Sequence, residues 1–473
     1  MNIQRRQFVQ ATAAAIATAQ FPILGANDRI QVGVVGVGER GTTHLDLYDS
    51  LDSDCRIAAV CDVNQTARER AVSKVHKAKG YSPQDYNDMR KMFESKDIDL
   101  VSIATPHHWH ALATIWACEA GKDVYVEKPA THNVFEGPQM VAAARKGNRM
   151  VQVGMQSRSQ PYKMHAIRLL GEGVIGQVYG CRVLCFRRRF SIGHTPDELP
   201  PSGLDWDLFL GPAQWKPYSL NKYAYNWHWF WDTGNGDIGN QGVHEMDVAV
   251  WGFGRSGWPV SVSSSGGKFV WEDDQQTPNN QQTTFDFGDS QITFDVRNLP
   301  TPPEGLMAGA PLRLPEGAGT LASSSGPFSM YDQRSANYVG NVFFGDLGFL
   351  ILDHTGTQVY RSSAGNLTGV RGAEAGSREK YVRTVDEKAQ EEDDTLHIKN
   401  LFNAMRARDY KMLNADVAVG VRSAAYCHLA NIGYRVGRTL RLSQSTGRCL
   451  GDEEANALLT RNYRNPFIVS RIE

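Results

Sequence analysis

The sequence predicts an α/β protein, with an N-terminal Rossmann domain on a doubly wound parallel sheet. A C-terminal α+β domain on a large, mostly antiparallel open sheet follows it. Three observations carry this reading. Apolar strands alternate with amphipathic helices from Ile30 to Val153, as βαβ units do. A glycine turn, Gly36-Val37-Gly38-Glu39-Arg40-Gly41, follows the first strand. Past Gly154 the runs lengthen and alternate apolar with polar residues, the signature of a sheet covered on one face.

Taken in order, Ile30–Val35 reads as a strand, Gly36–Gly41 as the turn and Thr42–Leu51 as a helix. Arg56–Cys61 is a second strand, with helical patterns at Gln65–Lys79 and Pro83–Phe93. Leu100–Ala104, Val124–Val126 and Met150–Val153 continue the strands, separated by helices at Trp109–Glu119 and Phe135–Lys146. Right-handed crossovers bring the C-terminal ends of these strands to one edge, where ligands bind. A helix at Pro161–Leu170 then leads to alternating runs at Val178–Phe186, Val260–Val270, Thr283–Phe287 and Gln291–Val296. Leu299–Gly326 is rich in Pro, Gly, Ala and Ser and reads as a long loop or arm. Thr395–Ala407 and Ala415–Val436 are helices, the second capped by Asn414. The expected domains are residues 27–153 and 154–473, behind a leader at residues 1–26.

That leader has the order of an export signal. Gln4-Arg5-Arg6-Gln7-Phe8 precedes an Ala/Thr-rich apolar run to Leu24, with candidate cleavage sites at Ala17-Thr18-Ala19 and Leu24-Gly25-Ala26. The paired arginines point to the twin-arginine route and a periplasmic or otherwise extracytoplasmic enzyme. That route carries folded proteins, which suits one that loads a cofactor before it leaves.

At 473 residues the chain exceeds one core. Its net charge of −1 offers no attraction to nucleic acid or an anionic membrane surface. Beyond the leader no apolar stretch approaches the ~20 residues that span a bilayer. The 7 cysteines show no CxxC pairing and read as small buried apolar residues.

The glycine turn fits G-x-G-x-x-G between a strand and a helix, and the next strand ends at Asp62. Gly36 permits the tight turn, Gly38 the approach of a pyrophosphate and Gly41 the packing of helix on strand. Glu39 and Arg40 lie beside that diphosphate at the helix N-terminus. The Asp62 carboxylate accepts from a ribose diol and repels a 2′-phosphate, which favours NAD over NADP.

Two more segments fall at strand ends: Thr105-Pro106-His107-His108-Trp109-His110 and Glu127-Lys128-Pro129. With the glycine fingerprint they resemble the Gfo/Idh/MocA family of oxidoreductases. The resemblance implies that Lys128 binds beside the nicotinamide and the substrate hydroxyl, next to Glu127. There its pKa should fall, so that it orients the hydroxyl and relays its proton. Thr105 and Pro106 then wall the cofactor, and His110 contacts it or caps the following helix. Adjacent histidines at a strand end do not supply a zinc site, so no metal is expected.

The family's second catalytic element, an Asp four residues before a His, matches Asn240 and His244, with Asn in place of Asp. On one helix the two side chains would share a face. Either His244 works as a base of less perturbed pKa, or Asp237 supplies the missing carboxylate. Upstream lies a run of aromatics that includes Tyr225 and Trp227, with His228 among them. Such rings stack on sugar C–H faces, or alternatively form core or interface packing. The basic run around Arg188 contacts an acidic sugar or is solvated.

These readings lead to an NAD-dependent oxidoreductase acting on a secondary hydroxyl of a carbohydrate or glycoside, its cofactor tightly bound and recycled in place. The alternative is a redox-neutral enzyme that cleaves glycosides by oxidation, elimination, hydration and reduction. A third reading is a sugar-binding protein with an unreactive bound cofactor. The resemblance also implies a homodimer or homotetramer formed through the outer face of the C-terminal sheet.

Overall fold

The computed structural model describes residues 29–299, 338–362 and 381–472. The expected export leader and nearly all of the stretch expected as a loop or arm lie outside the described residues.

Six strands form the first sheet: β1 (Ile30–Val35), β2 (Cys55–Cys61), β3 (Gln84–Tyr86), β4 (Leu100–Ile103), β5 (Asp123–Val126) and β6 (Val151–Val153). Their order is β3-β2-β1-β4-β5-β6, and every pairing is parallel. Residues alternate between two buried clusters, as period-2 strands under two helix layers must. Val101, Ile103, Val124 and Val126 face one cluster, while Leu100 and Tyr125 face the other.

The helices α1 (Glu39–Ser50), α2 (Gln65–Lys79), α3 (Met89–Phe93), α4 (His107–Glu119) and α5 (Glu136–Lys146) connect these strands. Asn64 caps α2 by accepting from Ala67 N at 3.3 Å, and Gly80, at φ 75°, ends it in the left-handed region. The stretch Pro83–Phe93, expected as one helix, is β3 followed by α3. Residues 84–86 pair along the open edge of β2, and the Asp88 carboxylate starts a new helix by accepting from Arg90 N at 2.9 Å. The edge needed a strand more than the turn needed a helix. α4 begins at His107, two residues earlier than expected, so His107 and His108 stand in its first turn.

Beyond β6 come α6 (Pro161–Gly171), β7 (Val178–Phe186), α7 (Trp206–Leu210), α8 (Gly236–Asn240) and α9 (Gly242–Phe253). The second sheet is completed by β8 (Ser261–Gly267), β9 (Asn280–Asp286), β10 (Gln291–Arg297), β11 (Tyr338–Gly345), β12 (Gly348–Asp353), β13 (Gly356–Ser362), β14 (Tyr381–Lys388) and β15 (Leu440–Arg441). Its order is β14-β13-β12-β11-β7-β10-β9-β8-β15; β7 and β10 pair in parallel and the remaining pairs are antiparallel. The sheet is therefore mixed and mostly antiparallel. β11 to β14 were not foreseen. Their signal was the pair of two-residue turns, Asp346-Leu347 and His354-Thr355, that close consecutive hairpins.

The closing helices are α10 (Thr395–Ala407), α11 (Val417–Val436) and α12 (Glu453–Ala457). α11 is capped by Asp416, which accepts from Ala418 N at 3.1 Å; the expected cap, Asn414, instead donates to Ser159 Oγ. α10 packs on the Rossmann sheet, with Ile398, Leu401 and Phe402 buried against Val32, Leu45 and Tyr48. Burying each such side chain contributes about 1.5–3 kcal/mol. This helix belongs to the N-terminal core, although the sequence placed it with the C-terminal domain. All 7 cysteines are buried and free.

Candidate functional site

The glycine turn takes the geometry its sequence requires. Gly36 has φ +80°, and a Cβ there would lie 2.8 Å from the Ala104 carbonyl carbon. A Cβ on Gly41 would lie 1.8 Å from Gly36 O, so helix and strand approach through it. Gly38 differs. A Cβ there meets no protein atom within 4 Å, so packing within the chain does not require glycine at this position. The space belongs to a ligand arriving at the N-terminus of α1, where free N–H groups and the helix dipole favour phosphate.

A cavity of about 510 Å³ runs from this turn, a size suited to a small-molecule site. Asp62 lines one end, its oxygens accepting from Val37 N at 2.8 Å and Asn64 N at 2.9 Å. Burial pushes the Asp62 carboxyl up against those two hydrogen bonds. Arg70 also reaches the cavity and donates to Val37 O at 3.1 Å, a neighbour the sequence reading missed. Thr105, Pro106 and His110 line the middle. Thr105 Oγ1 and His107 Nδ1 are buried there without a protein partner, as groups awaiting a polar ligand would be. The ring nitrogens of His110 lie 2.7 Å from Pro129 O and 2.8 Å from Thr105 O. Its polar atoms are thus spent on bracing the two strand ends. These residues fit a dinucleotide.

At the far end stands Lys128, half-buried, with Nζ donating to the main-chain carbonyl of Asn240 at 2.8 Å. Burial, more than any neighbouring charge, brings its pKa down to about 8. The adjacent Glu127 accepts from Arg40 Nε at 2.7 Å and from His44 Nε2 at 3.0 Å. Burial opposes that charge, but Arg40 and His44 hold the Glu127 carboxyl well below the usual range. Arg40 and Glu127, expected as cofactor contacts, therefore form an ion pair that ties the glycine turn to the strand end carrying Lys128.

Lys128, Arg40 and Gln241 also line a second cavity of about 300 Å³, bounded by α9, β11 and β12. His244 and Glu245 open onto it from the first turn of α9. Asn341 lines it with a buried Oδ1 that has no protein partner. Burial and the Lys128 charge hold the His244 imidazole well below its usual pKa. It is neutral at pH 7, contrary to the expected less perturbed base. Glu245, which the sequence reading passed over, is pushed up to about 7 by burial.

Three expectations do not hold, and Arg188 takes the solvated one of its two readings. Asn240 and His244 do not share a helical face, because the helix breaks at Gln241 and divides them between α8 and α9. The Asn240 amide instead donates to Tyr225 OH at 2.8 Å in the first cavity. Asp237 does not serve His244. It is buried on the Arg189 guanidinium, at 2.7 and 3.1 Å, with Asn298 donating to it. Burial would raise its pKa, yet Arg189 takes it down to about 2. His228 is fully buried, hydrogen-bonded to Tyr225 O through Nδ1, and lines neither cavity. Arg188 is exposed and stacks on Phe190. In extended chain the neighbours Arg187 and Arg189 face inward and Arg188 faces out.

Tyr225 and Trp227 do line the first cavity, and Trp227 meets the His107 ring edge-on at 4.7 Å. Further upstream, Trp206 and Tyr218 are packing. Trp206 stacks on Phe209 at 4.8 Å and meets Tyr218 at 5.1 Å in a separate apolar cluster.

A parallel Rossmann sheet with a dinucleotide cradle, joined to an α/β domain whose open sheet walls a second cavity, is the architecture of a two-domain, NAD-binding oxidoreductase. Two segments of the chain match the two domains of the Gfo/Idh/MocA family. Residues 30–155 match its NAD-binding Rossmann fold and residues 188–286 its C-terminal α/β domain. A Shewanella baltica protein named as a glycosyl hydrolase family 109 protein is 30% identical over 205 residues, 37% of this chain and 44% of that one. An α-N-acetylgalactosaminidase of Shewanella oneidensis is 28% identical over 260 residues, 49% of this chain and 51% of its own length. The chain thus spans about half the length of the curated relatives it matches. Among solved structures, levoglucosan dehydrogenase with NADH and levoglucosan superposes with a TM-score of 0.59 at 16% identity, over 87% of this chain and 99% of that one. The WlbA dehydrogenase of Bordetella pertussis, with NADH and UDP-GlcNAcA, gives 0.58 at 17% identity, over 88% of this chain and 99% of that one. At such identities the likeness speaks to the fold.

Proposed function

We propose that this protein uses tightly held NAD to oxidise a secondary hydroxyl of a carbohydrate or glycoside. One observation carries the reading: Lys128 stands in the wall between a dinucleotide-shaped cavity and a polar cavity that holds His244. NAD, when bound, supplies a hydride acceptor. The chain does the rest. Asp62 and the glycine turn place the cofactor. Lys128, near pKa 8, binds the substrate hydroxyl and takes its proton. Neutral His244 offers a second hydrogen-bonding nitrogen, and Asn341 Oδ1 accepts from a neighbouring hydroxyl. Purified protein should carry NAD that survives desalting and appears on acid extraction. A cofactor-free preparation with no affinity for NAD would end the proposal.

The relatives named as glycosidases favour a second reading of the same site, redox-neutral glycoside cleavage. Release of nitrophenol from nitrophenyl glycosides without added NAD supports cleavage. A requirement for added NAD, with accumulation of its reduced form, supports simple oxidation.

The paired Arg5-Arg6 leader supports export by the twin-arginine route, which a fractionated host with and without that translocase would test. We further propose a homodimer or homotetramer joined through the outer face of the second sheet, to be read by light scattering.

A further inference from the structure

The charged groups of the second cavity are mostly engaged. Lys128 is held by Asn240 O, Arg187 by Gln241 Oε1, and Arg40 by Glu127. Lys163 donates to Ser157 Oγ at 3.0 Å and to Glu392 Oε1 at 3.3 Å. Glu245 is the exception. It lines the cavity, yet among the described residues its carboxylate has no hydrogen bond and no ion pair. A half-buried carboxylate without a protein partner, on the wall of a polar cavity, is placed for a ligand that brings a proton or a hydrogen-bond donor.

Oxidation of an alcohol needs one proton acceptor, and Lys128 provides it. Cleavage by the redox-neutral route needs a second base, because a carbon-bound proton must leave next to the oxidised carbon. We propose that Glu245 removes that proton and later returns it, an assignment that rests on the cleavage reading above. With the ring C3 hydroxyl oxidised by NAD, the C2–H bond breaks and its proton goes to the Glu245 carboxylate. The electron pair forms the C1–C2 double bond as the C1–O bond to the aglycone breaks. Water then gives hydroxide to C1 and a proton to the aglycone oxygen, while Glu245 returns its proton to C2. The hydride and the proton held by Lys128 go back to C3 and its oxygen. The sum is hydrolysis, with no external oxidant or reductant.

The surroundings of Glu245 suit a group that works in both directions. Burial comes first in raising its pKa to about 7; Glu392, on the segment before α10, and Asp247, on its own helix, add to the rise. Lys163 on α6 and Arg187 beyond β7 oppose it. Both protonation states are then populated near neutrality, as a base that must later act as an acid requires.

The test uses the full-length protein with its bound NAD, wild type and Glu245→Gln, incubated in deuterated buffer with 4-nitrophenyl glycosides, the N-acetylgalactosaminide first. Three signals are followed: reduced-nicotinamide absorbance, nitrophenol release and deuterium at C2 of the sugar. In E245Q, release and deuterium uptake should fall at least 100-fold while the reduced-nicotinamide signal falls less than tenfold and persists. Glu245→Ala should regain part of the release when formate is added. Wild-type release and exchange that continue within threefold in E245Q overturn the role of Glu245 alone. So does a parallel loss of all three signals in both variants with no rescue by formate. A wild type that reduces its cofactor but neither releases aglycone nor exchanges C2 overturns the cleavage reading, and this role with it.

Discussion

The ammonium of Lys128 is anchored by the main-chain carbonyl of Asn240, 2.8 Å away, and not by a carboxylate side chain. A backbone acceptor at the end of α8 does the holding, which leaves the side chain of residue 240 free to tether Tyr225. Asn in place of Asp therefore leaves the anchor intact and lowers the negative charge around the lysine.

Asn240→Asp should keep Lys128 where it is and raise its pKa, since a carboxylate nearby favours the charged form. The lysine works deprotonated, so the acid limb of the pH–rate profile should move up, from near pH 8 by about one unit. An unmoved limb would show that residue 240 does not sense Lys128 through its side chain.

Lys128→Ala should reduce turnover by about 10²–10⁴-fold, the range for loss of a positioned acid–base group. The NAD content on acid extraction should stay close to wild type, because Asp62 and the glycine turn hold the dinucleotide at the other end of the cavity. Loss of NAD together with activity would reassign Lys128 to cofactor binding.

How much of this site was readable follows from what kind of signal each residue carries. Gly36, Gly41, Asp62 and Lys128 sit in contiguous motifs at strand ends, and the parallel sheet alone fixes where such ends meet. Asp237 and His228 failed, and Arg188 stayed open between two readings, for a different reason. Their types suggest chemistry, but which way each points depends on tertiary partners: Arg189 for Asp237, the Tyr225 carbonyl for His228, and strand alternation for Arg188. Glu245 was next to a named residue and was overlooked, because a carboxylate is marked out only by the absence of a partner, and sequence does not show absences. The hairpins β11 to β13 were equally hidden, since their two-residue turns lack Asn-Gly or Asp-Gly pairs.

The half-buried Glu245 should also mark the stability curve. A carboxyl whose folded pKa lies above its unfolded value holds its proton longer in the native state. Between about pH 4.5 and 7 the fold binds more protons than the unfolded chain, so stability falls as pH rises through this window. The neighbours Lys163 and Arg187 moderate the fall, and Glu392 and Asp247 deepen it. E245Q removes the penalty. It should match wild type in urea melts at pH 4 and exceed it by about 1–2 kcal/mol at pH 8, a partly exposed carboxyl giving less than the full shift. Equal midpoints at both pH values would contradict the burial argument.

Arg189 and Arg188 are adjacent in sequence and should be opposite in effect. Arg189→Ala leaves Asp237 buried with Asn298 alone, and breaking such a pair costs about 3–5 kcal/mol. Arg188→Ala removes an exposed side chain that stacks on Phe190, and surface changes of this kind usually stay within about 0.5 kcal/mol. Denaturant melts of the two variants compare them directly. A destabilised R188A, or an unaffected R189A, would mean the alternation along this extended segment is inverted.

The glycine turn separates a ligand's demand from the fold's. Gly41→Ala drives a Cβ to 1.8 Å from Gly36 O, a clash between backbone segments that no side-chain movement relieves, so the variant should lose several kcal/mol or fail to fold. Gly38→Ala places a methyl group where no protein atom lies within 4 Å, and its backbone, at φ −67°, is open to alanine. That variant should melt within about 1 kcal/mol of wild type when both are stripped of cofactor. Its affinity for NAD should nevertheless fall at least tenfold, because the methyl group stands where the diphosphate must approach the helix N-terminus. Calorimetric titration of the stripped proteins measures the difference. Wild-type affinity in G38A would place the dinucleotide elsewhere and leave the open space above Gly38 without a purpose.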